Sequence, residues 1–350
     1  MKILFLFHPY VNQGMTDSLM AVSESVYCPT KRGKHKPPGT SRLMTRAEFA
    51  SLKRRILARE FDLIIAYACE EGLRRPFRNT LQDVVHATKK VLFYFPAFAL
   101  YFLLPAIKQS GTKLLIYDYD DTTAIPPMRW PYLDACHLYF KVHPAINLHK
   151  SFLFQTRRDG NLWNVLRNER YNAWLKKIRP ISYGTAYKES YDASLAPEKK
   201  YDVFFSGGTH YSPVRQDGVR ILEKMQTEGL RVCLPKKVPH AEFLRLCSES
   251  WLVLSPEGAE WQSARHYESL LMKSVPLINY PNVRLHQPLS DGEHAFYYPP
   301  EGDLLAGTIR RALADKPRLQ QMAEAGRVFV MQHHVHERIV EHMIEEASRA

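Results

Sequence analysis

The chain has 350 residues, 45% hydrophobic and 24% charged, which excludes a largely disordered or fibrous protein and supplies enough apolar side chain for two cores. The formal net charge is +12, unevenly placed: residues 1–180 carry 28 Lys and Arg against 14 Asp and Glu, residues 181–350 carry 20 against 22, and together they return the totals of 48 and 36. A basic first half is either a solvated surface or the side that meets an anionic partner: a phospholipid surface, a phosphate-linked acceptor, an acidic glycan or nucleic acid.

In chain order, the opening MKILFLFHPY is too short in its apolar run for a signal peptide and lacks a small-residue cleavage site, so 2–7 reads as a first β-strand. Residues 28–41 (CPTKRGKHKPPGTS) read as a basic Pro/Gly loop. Helical spacing covers 46–59 behind Thr45 as N-cap. Further strands are predicted at 62–67, 90–95 and 113–117. The stretch 91–107 (VLFYFPAFALYFLLPAI) is uncharged, but Pro96 and Pro105 interrupt it. It reads as a buried strand followed by a packed apolar helix rather than a membrane span. Lys89, Lys90 and Lys108 at its ends give the alternative of an apolar face on a membrane surface.

The periodicity is poor from 150 to 200, which places a domain junction near 180–196 and divides the chain into 1–180 and 181–350. The second half predicts a strand at 202–206, a Gly207–Gly208 turn, a helix at 213–228, a strand at 230–234 and a helix at 240–248. A strand at 251–254, a loop at 255–260, a helix at 261–272 and a strand at 275–280 follow. The tail from 302 is helical in three pieces. This alternation of apolar runs and amphipathic stretches is the βαβ pattern of an α/β protein, in two halves of similar style. The five cysteines (Cys28, Cys69, Cys136, Cys233 and Cys247) include no Cys-x-x-Cys, which speaks against a disulfide framework or zinc site and for a reducing compartment.

Two places in the second half could hold a phosphate-bearing ligand. Ser206-Gly207-Gly208-Thr209 joins a strand to a helix whose first turns carry Ser212 and Arg215. Glycines let the backbone approach a bound group, and a helix N-terminus offers free N–H groups to an anion. The other reading is a tight turn without a ligand. Glu257, in the loop Ser255-Pro-Glu-Gly-Ala-Glu, precedes a helix carrying Arg265 and Glu268, three residues apart on one face. An ordinary salt bridge between those two is the alternative. Against it stands their position after a strand C-terminus, where open α/β sheets bind ligands. Arg215 and Arg265 suit a diphosphate, and Glu268 suits the vicinal hydroxyls of a ribose.

The run Arg265-His-Tyr-Glu268-Ser-Leu-Leu-Met-Lys-Ser-Val-Pro-Leu-Ile resembles the C-terminal signature of GT-B glycosyltransferases of the group-1 and exostosin-like kinds. The order Gly207-Gly208-Thr209, Arg215, Arg265, Glu268 resembles more narrowly the donor site of the phage DNA beta-glucosyltransferase. The resemblance implies two Rossmann-like domains facing across a cleft, with C-terminal helices crossing back to the first. It implies that Arg215 and Arg265 contact the donor diphosphate, that Thr209 adds a phosphate hydrogen bond and that Glu268 holds the ribose. The loop departs from the group-1 pattern, with Glu257-Gly258-Ala259-Glu260 where a second acidic residue and a Gly-Phe-Gly run are expected.

In the first half, Asp118, Asp120 and Asp121 follow a predicted strand. Crowded carboxylates raise at least one pKa, which suits a general base, and their oxygens could also take a divalent metal. A capping acidic turn is the third reading. The resemblance favours Asp120 as the base of an inverting transfer, and no metal site is predicted. His333, His334, His336 and His342 read as part of a helix near the domain junction rather than metal ligands, and the pairs Arg157-Arg158 and Lys176-Lys177 as solvated.

The expected activity is therefore a hexosyltransferase-like transfer from a nucleotide-diphosphate sugar, with a UDP-sugar favoured and no other cofactor required. The acceptor would be a hydroxyl of an anionic envelope glycan or a lipid-linked or membrane-surface saccharide. The protein would be cytoplasmic, peripheral on the inner face of the membrane, without a transmembrane segment. A DNA-modifying glucosyltransferase and a catalytically inactive nucleotide-sugar-binding protein are the alternatives.

Overall fold

A computed structural model describes residues 1–6, 13–27, 45–68, 99–152, 169–196, 198–210, 212–301 and 304–350. The chain folds into two compact units: Met1–Pro180 together with Val340–Ala350, and Ile181–Ile339. The expected strand at 90–95, the basic loop at 28–41 and the Arg157-Arg158 pair lie outside the described residues.

The first unit is built on six parallel strands: β1 (Ile3–Leu6), β2 (Ser25–Tyr27), β3 (Leu63–Tyr67), β4 (Lys113–Asp118), β5 (Leu138–Lys141) and β6 (Ile178–Pro180), ordered β2-β1-β3-β4-β5-β6. Its helices are α1 (Gln13–Ala21), α2 (Arg46–Leu57), α3 (Ala99–Ser110), α4 (Trp130–Ala135) and α5 (Glu169–Leu175). β1, β3 and β5 are buried at every position, as parallel strands covered on both faces must be. α2 starts at a reciprocal cap: the Thr45 side chain accepts from the Glu48 N–H, and the Glu48 carboxylate accepts from the Thr45 N–H at 2.7 Å. α3 contains Pro105 and turns Leu100, Leu103, Leu104, Ala106 and Ile107 into the core.

The second unit carries β7 (Tyr201–Phe204), β8 (Val232–Cys233), β9 (Ser250–Leu254), β10 (Val275–Asn279) and β11 (Phe296–Tyr298), all parallel, in the order β11-β10-β9-β7-β8. Between and after them lie α6 (Pro213–Thr227), α7 (His240–Ser248), α8 (Ala264–Leu271), α9 (Leu304–Leu313), α10 (Lys316–His333) and α11 (His336–Arg349), whose last turns belong to the first unit. Side chains alternate across this sheet. Phe204, Val253 and Ile278 enter one core with α7 and α8, while Val203, Leu252, Leu254 and Leu277 enter a second with α6 and α9.

The strand order positions the site. From β7 the chain moves to β8 on one side, then returns to place β9 on the other. The carboxyl ends of β7 and β9 are thus neighbours whose connections leave in opposite directions, and a crevice opens at such a switch point. The helix expected at 261–272 begins only at Ala264. Ser263 caps it, and Trp261 is instead held in the loop by its indole N–H, which donates to the Asn279 carbonyl at 2.8 Å.

Candidate nucleotide-binding site

The loops after β7 and β9 meet through two arginines. Arg265 reaches from the first turn of α8 to donate from Nη2 to the carbonyl of Ser206 at 2.6 Å. Arg215, on the first turn of α6, donates from Nη1 to the carbonyl of Gly208 at 3.1 Å and from Nε to the carbonyl of Glu257 at 2.9 Å. Both guanidinium groups are therefore anchored on carbonyls two residues apart in one turn. Two glycines make room for them. Gly207 has φ +153, and a Cβ there would lie 2.6 Å from Arg265 Nη2; a Cβ on Gly258 would lie 2.6 Å from Arg215 Nη2. Ser212 and Ser263 cap α6 and α8 by accepting from the N–H of Arg215 and of Arg265.

The guanidinium of Arg265 is only partly hydrogen-bonded. Its Nε and Nη1 are shut off from solvent and have no hydrogen-bond partner among the described residues. The guanidinium packs 5.0 Å from the Phe205 ring centroid and 5.9 Å from that of Phe243. Burial, and next the nearby positive charge of Arg215, push its pKa down to about 10. The helical salt bridge that the spacing allowed does not form, because Glu268 turns the other way and binds His240, with 2.8 Å between Oε1 and Nε2. Two guanidinium groups held side by side, one of them with two nitrogens unfilled among the described residues, suit a group carrying more than one negative charge.

The remaining expected residues are near these two. Glu257 accepts from Asn279 Nδ2 at 3.0 Å, and its N–H donates to Asn279 Oδ1 at 2.8 Å, so the last residue of β10 sets its orientation. Thr209 is half-buried, and its carbonyl accepts from the Ser212 N–H and from Gln216 Nε2. Asn279, His240, Phe205 and Phe243 are contacts that sequence reasoning missed. Asn279 alone left a trace, as a polar residue closing an apolar strand.

In the first unit, Asp118 behaves differently from the expectation of a base raised by crowding. It is fully buried, and its Oδ1 accepts from Arg129 Nη1 at 2.7 Å and from the Asp120 N–H at 3.1 Å. Its Oδ2 accepts from the Tyr139 hydroxyl at 2.6 Å and from Lys141 Nζ at 3.1 Å. Burial works to raise its pKa, but Arg129, Lys141 and these hydrogen bonds overcome that and hold it well below the carboxylate range. Asp118 is therefore an anchor inside the unit rather than a group that takes a proton. Arg129 also binds Asp120, Nη2 to Oδ2 at 2.9 Å, and Asp120 keeps 19% of its side chain exposed. Asp121 is exposed. Among the described residues no group of three His, Cys, Asp or Glu is placed to hold a metal ion.

In the tail, His334 and His336 are buried, and His334 Nδ1 lies 2.8 Å from Ser182 Oγ with its ring stacked on Tyr267. Among the described residues no helix is long and apolar enough to cross a membrane.

No protein-family model and no curated protein matches the chain. Solved structures do match its fold. A glycosyltransferase from Rickettsia africae ESF-5 is 12% identical, with 99% of this chain and 98% of that chain covered and a TM-score of 0.59. An alpha-glucosyltransferase in complex with UDP and a 13-mer DNA containing an HMU base is 10% identical, with 99% of each chain covered and a TM-score of 0.54. Anabaena HepE in complex with UDP-glucose is 14% identical, with 100% of each chain covered and a TM-score of 0.50. The chain has the GT-B glycosyltransferase fold.

Proposed function

We propose that the chain is a glycosyltransferase that moves a sugar from a nucleoside-diphosphate sugar to an acceptor hydroxyl, with a UDP-sugar as the first choice of donor. The observation that carries this reading is the buried guanidinium of Arg265, with Nε and Nη1 unfilled among the described residues, beside Arg215 at the switch point of the second sheet. A donor diphosphate can accept from these open guanidinium nitrogens, and Gly207, Gly208 and Thr209 offer it backbone and hydroxyl donors. Glu268 accepts from the ribose, and Glu257 is offered to the sugar. The bound ligands named for two of the structural neighbours, UDP and UDP-glucose, agree with this choice.

Asp120 is the proposed base. It takes the proton of the acceptor hydroxyl as that oxygen bonds to the anomeric carbon and the carbon–oxygen bond to the diphosphate breaks. The departing negative charge is met by Arg215 and Arg265, and the anomeric centre inverts.

The excess of basic residues in 1–180 favours an anionic acceptor. We assign an envelope glycan or lipid-linked saccharide, met peripherally at the inner face of the membrane. The same charge, together with the DNA named for one structural neighbour, supports a second reading as a DNA-modifying glucosyltransferase. Salt-dependent retention on duplex DNA, measured against acidic lipid vesicles, separates the two.

The donor is tested by thermal melting with UDP-, GDP-, ADP- and CMP-sugars, repeated on Glu268→Ala. The expected result is a rise in melting temperature with the UDP-sugar that shrinks in the variant. A chain indifferent to all four would end the proposal.

A further inference from the structure

The bond between His240 and Glu268 has no part in the roles assigned so far. Glu268 lies in α8 with 14% of its side chain exposed, and His240 opens α7 with 57% exposed. Their 2.8 Å contact joins two helices across 28 residues of sequence. Among the described residues, the Glu268 carboxylate makes no other hydrogen bond or ion pair, and Arg265 one turn earlier is not its hydrogen-bond partner. The orientation of this carboxylate is therefore set by one imidazole. A glutamate side chain has several rotamers, and fixing one of them has an entropic cost that a partner from a second element meets before any ligand arrives. His240 is itself backed by the Phe243 ring, 6.3 Å away and 12° from parallel, and by Tyr191 at 6.3 Å and 64°.

We propose that His240 is a positioning residue for the nucleoside of the donor. It holds the Glu268 carboxylate in the rotamer that accepts from the 2′- and 3′-hydroxyls together, and so sets a preference for ribonucleoside over 2′-deoxyribonucleoside diphosphates. This rests on the donor reading above. A fixed carboxylate meets both hydroxyls of a ribose at once, while a 2′-deoxyribose leaves one acceptor position unfilled. A freely turning carboxylate has to be ordered by the ligand, and the gain from the second hydroxyl falls by that cost.

The test is calorimetric titration of the full chain with UDP, 2′-deoxy-UDP and inorganic pyrophosphate. The wild type is expected to prefer UDP over its deoxy analogue by about tenfold or more, the size of one hydrogen bond to a charged group. His240→Ala should cut that preference by about three- to tenfold, the cost of ordering a free glutamate side chain. It should leave pyrophosphate binding unchanged. His240→Gln, which keeps a donor, should restore the preference, and Glu268→Ala should abolish it.

Two results overturn the role of His240 alone: a wild-type preference in His240→Ala while Glu268→Ala abolishes it, or an equal loss for all three ligands in His240→Ala. If UDP fails to bind the wild type, or Glu268→Ala keeps the preference, the donor reading itself has failed and takes this inference with it.

Discussion

Arg265 is tied to the carbonyl oxygen of Ser206 at 2.6 Å by Nη2, while its Nε and Nη1 find no hydrogen-bond partner among the described residues. Burying this cation is costly, and its hydrogen bond to Ser206 and its packing on Phe205 and Phe243 offset only part of that cost. Arg265→Met should therefore leave the melting temperature without ligand unchanged or raise it, by up to about 2 kcal/mol of stability, as replacement of buried charge by apolar volume does. The same variant should lose roughly 2–5 kcal/mol of nucleoside-diphosphate affinity, because the anion loses its buried partner. Melting curves with and without UDP measure both. A variant that melts early and still binds UDP as the wild type does would show that the arginine is structural.

Gly207 has the backbone conformation that favours glycine, and its missing Cβ is where Arg265 Nη2 lies. Gly207→Ala should cost about 1–3 kcal/mol in denaturant unfolding, from backbone strain and from displacing the guanidinium. The two effects separate in the double variant with Arg265→Ala: the steric part disappears, so the costs should be clearly less than additive.

Asp118 joins Arg129 and Lys141 inside the first unit, and its pKa lies below the unfolded value. A depressed carboxylate contributes stability that is complete above its unfolded pKa, about 3.9, and is lost as pH falls toward the folded value. Acid unfolding of the wild type should include this loss below about pH 4, and Asp118→Asn should remove it. The variant should also be less stable at neutral pH by about 3–5 kcal/mol, since buried Lys141 loses its carboxylate and Arg129 keeps only Asp120 of its two. Circular dichroism melts from pH 2 to 7, read as a trend across both proteins, provide the check.

His240 titrates in the opposite sense. Its hydrogen bond with Glu268 raises its pKa above 6.5, against burial and the positive charge of Lys188. Tyr191 faces the same pair and stays neutral in this range, its own pKa raised by burial and by Glu268. The stability from the raised imidazole is fully present below 6.5 and is lost as pH rises through the folded value. Histidine NMR should show a midpoint above 6.5 that falls in Glu268→Gln. An unmoved midpoint would mean that the bond is not made in solution.

Much of this fold was legible because parallel strands buried on both faces read as apolar runs: Ile3–Leu6, Leu63–Tyr67 and Val275–Asn279 are all of that kind. The strands Ser25–Tyr27, Ile178–Pro180 and Phe296–Tyr298 were not legible. Each has only three residues, one of them includes Arg179, and pairing with a longer neighbour is what makes them strands. Caps were readable at Thr45 and were missed at Ser263, where Trp261 looked like the start of the helix until Asn279 claimed its indole. In the candidate site, the local signals of glycine, helix start and arginine were visible. The pairing was not: nothing local says that Glu268 chooses His240 over Arg265, or that Asp118 meets Arg129, Lys141 and Tyr139, because those partners arrive by tertiary contact.

The end of α11 is part of the first unit: Lys113 Nζ donates to the Ala347 carbonyl at 2.7 Å, and Arg179 pairs with Glu346 at 3.5 Å. During translation the ribosome makes Met1–Pro180 early, but Val340–Ala350 only after the whole of Ile181–Ile339. The nascent first unit therefore waits, one side uncovered, for a segment encoded after its neighbour. Synthesis order makes completion of the first unit the later event, and a fragment cut at Pro180 would be missing a piece of its own packing.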